Sequence, residues 1–166
     1  MAAKFSGDLS RHPKVTFINN EARSYIKASN KKFDIIQISL IDTFAATQAG
    51  AYALSENNLY TTEAIQTYWD HLTDRGMLSI SYLTSPYMLK IVGAATKTLD
   101  KSGIKEPRNH FVIILAHSPV KSRRVSNLLV KKTPFTDQEL KTVQKYCDEM
   151  GFHFLLSKNG TPSLSF

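Results

Sequence analysis

The run Phe33-Asp34-Ile35-Ile36-Gln37-Ile38 constrains the fold more than any other stretch, being apolar nearly throughout and too short for a helix. It reads as a largely buried strand of the parallel kind, ending at Ser39. A parallel neighbour requires a crossover of about a dozen residues or more, usually helical. The sequence supplies one. Thr61 or Thr62 opens a segment in which Ile65, Tyr68, Trp69 and Leu72 recur at helical spacing, with Gly76 as its terminator and Met77 to Leu83 as the next strand.

The same alternation extends to both sides. Lys14 to Ile18 follows His12-Pro13 as a first strand, and Asn20 caps a short helix ending near Asn30, with Glu21 in its first turn and Ala22, Tyr25 and Ile26 inward. Beyond Leu83, Ser85-Pro86 starts a helix with Met88, Val92, Ala95 and Leu99 on one face and Gly103 at its end. His110 to His117 and Arg124 to Val130 are joined by a turn too short for a crossover, so they form an antiparallel hairpin. Thr136-Asp137-Gln138-Glu139 is a capping box for a last helix, with Leu140, Val143, Cys147 and Met150 inward and Gly151 after it. Phe152 to Leu156 closes the series as a short strand. The expected class is α/β, a truncated Rossmann-like sheet that is mostly parallel with a C-terminal antiparallel hairpin and helices on both faces, in a single domain spanning residues 1–166.

Composition narrows the function classes. With 42% hydrophobic and 21% charged residues among 166, the chain is globular in character. Its only cysteine, Cys147, has no intramolecular partner, and the start of the sequence does not resemble a signal peptide, so a reducing cytoplasm is expected. No apolar run approaches the roughly 20 residues that span a bilayer, so no membrane contact is required by this segment. The net charge is +7, with a cluster at Lys121, Arg123, Arg124, Lys131 and Lys132. Without interleaved aromatic residues to stack on bases, the cluster reads as a solvated turn more readily than as a phosphate contact, and no nucleic-acid partner is expected.

The seven glycines stand apart from one another, so no glycine-rich phosphate loop is present. The five histidines and Cys147 lack metal-ligand spacing, and no metal is expected. What remains is positional. Ligands of open α/β sheets sit outside the carboxyl ends of the strands, which sets Glu21, Ser39 and Asp42 at one crevice. Glu21 is equally explained as an acid stabilised by a helix dipole, whereas Asp42, in the long connection from Leu40 to Asn58, follows a buried strand directly and reads as a site residue more readily than as the start of a local turn.

Taken in order, His12-Pro13-Lys14-Val15, Glu21-Ala22-Arg23-Ser24-Tyr25-Ile26, Phe33-Asp34-Ile35-Ile36, Leu59-Tyr60-Thr61-Thr62-Glu63 and Gly76-Met77-Leu78 resemble the spermidine synthase-like branch of the S-adenosylmethionine-dependent methyltransferase fold. The resemblance identifies these segments with the family's third strand and adenine-reading acid, its fourth strand, the following helix and the fifth strand. It implies S-adenosylmethionine or its decarboxylated analogue as cofactor, met by Glu21, Ala22, Ser39 and Leu40, and an amine acceptor near Asp42 as the catalytic acid. Leu40 to Tyr60 is similar to the same segment of large, partly membrane-embedded members, so the chain also reads as the cytoplasmic domain of such a parent.

Two departures accompany it. The family's first two strands, with the glycine-rich loop and the ribose-binding acid, have no counterpart in this sequence. The family's catalytic aspartate aligns with Ser39, and a serine is no general base without an activating partner. The expectation is therefore a spermidine synthase-like transferase domain fragment that is inactive alone. Its rival is a non-catalytic binding or assembly module derived from that fold. Since the missing strands would leave the edge of Phe33 to Ile38 bare, a second copy of the chain, giving a homodimer, is expected to cover it somewhat more readily than Lys14 to Ile18 moving across to pair directly in a compact monomer, with the upstream half of a longer parent as the other partner expected.

Overall fold

The structure, a computed structural model, describes residues 7, 9–39, 56–83, 86–116 and 124–156. Strands β1 (Phe33–Ser39), β2 (Leu72–Leu83), β3 (Phe111–Leu115), β4 (Val125–Lys131) and β5 (His153–Leu156) form one sheet in the order β1-β2-β4-β3-β5. Helices α1 (Ala22–Ala28), α2 (Thr62–Asp70), α3 (Pro86–Lys101) and α4 (Asp137–Met150) complete the fold. The architecture is the expected Rossmann-like α/β arrangement with a C-terminal antiparallel hairpin, β3 against β4. The expected parallel majority is corrected: among the described strands β1–β2 is parallel, while β2–β4, β3–β4 and β3–β5 are antiparallel. The reason is local. Lys14 to Ile18, read as a first strand, is irregular and pairs with no described strand, leaving Phe17 and Ile18 exposed.

One face of the sheet carries the main core. Ile36 and Ile38 of β1, Leu78 and Ile80 of β2, Leu128 and Val130 of β4 and Phe111 and Ile113 of β3 pack against Ala64, Ile65, Tyr68 and Trp69 of α2 and Met88, Ile91, Ala95 and Leu99 of α3. The helical spacing of the α2 and α3 residues puts each set on a single stripe. The opposite face has a smaller core, where Leu140 and Val143 of α4 meet Val112, Ile114, Leu129, Met77 and Phe154 with Phe135 from the preceding turn. Helices therefore cover both faces, but α4 lies over only part of the second: Ile35 of β1 remains 60% exposed there.

The helix ends show local chemistry. Thr136 and Glu139 form the reciprocal capping box read from the sequence, and Gly151 closes α4 with φ 68°, a left-handed conformation suited to glycine. Met150, in the last turn, is exposed rather than inward. Thr61 is the cap of α2, its hydroxyl accepting from the Ala64 N–H at 3.1 Å. Gly76 does not terminate α2, which ends at His71; the glycine lies within β2, where the register with β1 shifts between Phe33 and Ile35. A Cβ at Gly76 would sit 2.9 Å from the Phe33 carbonyl oxygen, so close backbone approach selects glycine there.

His71 ties this region together. Its Nδ1 lies 2.7 Å from the Thr67 carbonyl oxygen and its Nε2 3.1 Å from that of Ser29, joining the end of α2 to the end of α1. Trp69 sits above β2 with the Lys132 ammonium 4.3 Å from its ring centroid. Truncating this 4% exposed side chain removes its contacts and opens a cavity, so Trp69→Ala is expected to lower stability by about 3–5 kcal/mol. Urea unfolding measures it; a loss below about 1 kcal/mol would show that the tryptophan carries little of the core.

Candidate functional site

The carboxyl ends of the parallel pair β1–β2 are where a ligand of an open α/β sheet sits. Ser39 is the last residue of β1, exposed, and in register with Ser81 of β2; Gln37 is likewise in register with Ser79. Ser81 in turn faces Asn127 of β4 across the antiparallel pair. Side chains alternate between faces, so these five residues share the face of Ile35, Met77 and Leu129, the one α4 only partly covers. Asn127 Nδ2 donates to Ser79 Oγ at 3.0 Å and to Ser81 Oγ at 2.9 Å. A polar ladder thus crosses three strands: Gln37 and Ser79 in one rung, Ser39, Ser81 and Asn127 in the next.

At the amino end of the same strands, charged residues gather around a groove of about 490 Å³ between the sheet and α4, floored by Ile35, Met77 and Leu129 and bordered by Asp34, Arg75 and Lys131. Asp34 accepts from the Thr73 hydroxyl at 2.9 Å. Lys131 is paired with Glu139, whose carboxyl is held below the ordinary glutamate range first by that lysine and then by the Thr136 N–H. Lys132 is engaged with Trp69, and burial pulls its ammonium below the usual lysine range. These two lysines of the basic cluster are therefore occupied within the fold; Lys121 and Arg123 lie outside the described residues.

A second groove, of about 280 Å³, runs along the outer edge of β1, where Ile18, Ala22, Tyr25 and Ile26 face Phe33 and Ile36. Ala22 lines this groove beside β1 but is exposed rather than inward. Glu21 does not cap behind Asn20; it is itself the cap of α1, its carboxylate accepting from Arg23 N at 2.9 Å and Ser24 N at 2.7 Å. Asn20 instead accepts from the Glu21 N–H at 2.8 Å. A hydrogen bond from the Ser24 side chain, followed by the Arg23 and Ser24 N–H groups, holds the Glu21 carboxyl below its ordinary range. Both carboxylate oxygens are thus turned toward the chain's own helix. Leu40 and Asp42 lie outside the described residues. Cys147 is 2% exposed and burial pushes its thiol up, a core residue rather than a nucleophile.

The sequence reading missed Gln37, Ser79, Ser81 and Asn127. For the first three the signal was the period-two alternation of polar with apolar residues, Ile36-Gln37-Ile38-Ser39 and Leu78-Ser79-Ile80-Ser81. It marks strands with one polar face where a continuous apolar run was expected.

A sheet of this order, with helices on both faces and polar residues at the carboxyl ends of its parallel pair, defines a Rossmann-like, methyltransferase-type fold. Among solved structures it is shared by spermidine synthases. The enzyme from Thermotoga maritima matches 90% of this chain at 18% identity with a TM-score of 0.56, and a probable spermidine synthase from Corynebacterium glutamicum matches 94% at 15% identity with a TM-score of 0.62. A spermidine synthase in complex with the transition-state analogue AdoDATO matches 90% at 17% identity with a TM-score of 0.54. The chain spans 45%, 46% and 58% of the analogue complex, Thermotoga and Corynebacterium chains, about half the length of these proteins. No family model and no curated protein matches the sequence. Among the described residues, no helix is long and apolar enough to cross a membrane.

The Glu21 cap gives a test. Its folded-state carboxyl is depressed, so its stabilisation is present above the unfolded glutamate value of about 4.3 and is lost as pH falls through the folded one. Glu21→Ala is expected to lower stability by about 0.5–1 kcal/mol at neutral pH. Thermal melts of wild type and variant should converge in acid; a difference that persists there assigns the effect to something other than the ionised cap.

Proposed function

We propose that this chain is the C-terminal part of a spermidine synthase-like transferase domain whose complete form binds S-adenosylmethionine or its decarboxylated analogue and acts on an amine acceptor. The observation that supports it is the superposition of 90–94% of the chain on spermidine synthases. The described residues do not by themselves make a cofactor holder. The glycines are isolated, and Glu21, the acid the resemblance assigns to adenine, has both oxygens spent on Arg23 and Ser24. Cofactor binding is therefore assigned to a complete domain, in which Ala22, Ser39 and Leu40 line the cofactor side and Asp42 stands near the acceptor. The chain alone is inactive by this reading.

A second reading is a non-catalytic binding or assembly module of the same fold. It is favoured by Ser39, a neutral and exposed residue where the resemblance puts the catalytic carboxylate. Calorimetry with S-adenosylmethionine, on the chain as its full reading frame encodes it, separates the two. Affinity of about 1 μM is expected for the transferase domain; affinity no better than millimolar overturns that reading in favour of the module.

Either reading must account for the outer edge of β1. No described strand pairs with it, and Ile18 and Ile35 are exposed at 47% and 60% beside it. An uncovered apolar edge invites pairing. A second copy of the chain is the occupant favoured here, with the upstream half of a longer parent as the alternative. Light scattering of this chain at low micromolar concentration is expected to give a dimer mass; a monodisperse monomer would rule out the homodimer.

A further inference from the structure

The groove between α4 and the amino ends of β1 and β2 has the size and lining of a small-molecule site. Its volume of about 490 Å³ lies within the roughly 300–1,000 Å³ of ligand pockets. Ile35, Met77 and Leu129 make an apolar floor, and Val143 of α4 makes an apolar wall. Ile35 is 60% exposed there, so the floor has apolar surface left to bury. The groove borders on Asp34, roughly 16 Å along β1 from Ser39, which sets it apart from the crevice at the carboxyl ends.

The polar groups on its border divide into those already spent and those left over. Both carboxylate oxygens of Glu139 are taken, one by Lys131 and the other by the Thr136 N–H at 2.8 Å and the Thr136 hydroxyl at 3.0 Å. The Thr142 hydroxyl donates to the Gln138 carbonyl oxygen at 2.9 Å. Asp34 accepts from Thr73 through Oδ1, and its Oδ2 has no hydrogen-bond donor among the described residues. The Arg75 guanidinium makes no hydrogen bond or ion pair with Asp34 or with any other described residue. One free carboxylate oxygen and one free guanidinium thus border the same apolar floor without neutralising each other.

This balance selects the class of ligand. A lone anion on Arg75 would lie near the Asp34 carboxylate, and a lone cation on Asp34 near Arg75, whereas a zwitterion meets each with the opposite charge. The remainder of the ligand covers Ile35, Met77 and Leu129 favourably only if it is apolar and large. We propose that the groove binds a free α-amino acid with a large apolar side chain, its carboxylate on Arg75, its ammonium on Asp34 and its side chain on the floor. The site is accessory to the carboxyl-end crevice and does not depend on the transferase reading.

The experiment is a titration of this chain with L-leucine, read by heteronuclear NMR at the methyl groups of Ile35, Met77, Leu129 and Val143. Saturable shifts on the millimolar scale are expected there. 4-Methylpentanoate lacks the ammonium and 3-methylbutylamine the carboxylate, and each is expected to bind about fivefold more weakly than leucine, the worth of one exposed ion pair. Glycine, without an apolar body, is expected to leave the floor unshifted. Arg75→Gln should abolish the preference for leucine over the amine, and Asp34→Asn the preference for leucine over the acid. Both residues are exposed, and a ratio of affinities within one variant is insensitive to a small loss of stability. The proposal is overturned if leucine leaves the floor methyls unshifted, if either half-ligand binds the wild type as tightly as leucine does, or if both variants keep the wild-type preferences. It is equally overturned if those methyls shift with protein concentration alone, which would assign the groove to a second copy of the chain.

Discussion

The parallel pairing of β1 with β2 is the constraint on which the other elements depend. It needs a crossover, and α2 provides one whose inner stripe of Ala64, Ile65, Tyr68 and Trp69 packs on the face of Ile36, Ile38, Leu78 and Ile80. The strands approach so closely near Phe33 that a Cβ at Gly76 would meet the Phe33 carbonyl oxygen at 2.9 Å, and β2 absorbs a register shift there. Once that pair is set, β2 offers its other edge to β4, and the hairpin with β3 and then β5 extends the sheet in antiparallel sense. Burial of the shared apolar face drives this arrangement, and the hydrogen bonds fix its register.

The two faces of the sheet differ in what the sequence places on them. On the α2–α3 side, apolar residues run unbroken from β1 to β3. On the α4 side, the core centres on the antiparallel strands, and along the parallel pair the described strand residues are charged toward the amino end and polar toward the carboxyl end. Polarity at the carboxyl ends is what distinguishes a surface that meets a ligand from one that merely awaits a helix.

Much of the fold is legible in the amino-acid sequence. The capping box at Thr136, the cap at Thr61, the hairpin and the stripe of Ile65, Tyr68 and Trp69 all follow from local rules that tertiary context does not override. What is not legible depends on context. Lys14 to Ile18 has strand propensity, yet it pairs with no described strand although Ile18 lies beside the open edge of β1, and β propensity alone does not make a strand. Gly76 looks like a helix terminator because glycine marks both helix ends and close backbone approach, and only the register of β1 against β2 separates the two uses. The candidate site is legible in half: Ser39 stands at the expected strand end, Glu21 proves to cap its own helix, and the serines of β2 show in the sequence only as an alternation, because strand pairing, not sequence proximity, brings them and Asn127 beside Ser39.

The contact between Lys132 and Trp69 has an optical consequence. Trp69 is the only tryptophan of the chain, it is 4% exposed, and a cation lies over its ring from the turn after β4. Its emission therefore originates from a single, water-shielded location where α2 meets the far end of β4, and a charge beside an indole shifts its excited-state energy. Any event that separates that helix from that strand is reported in the fluorescence spectrum without a label.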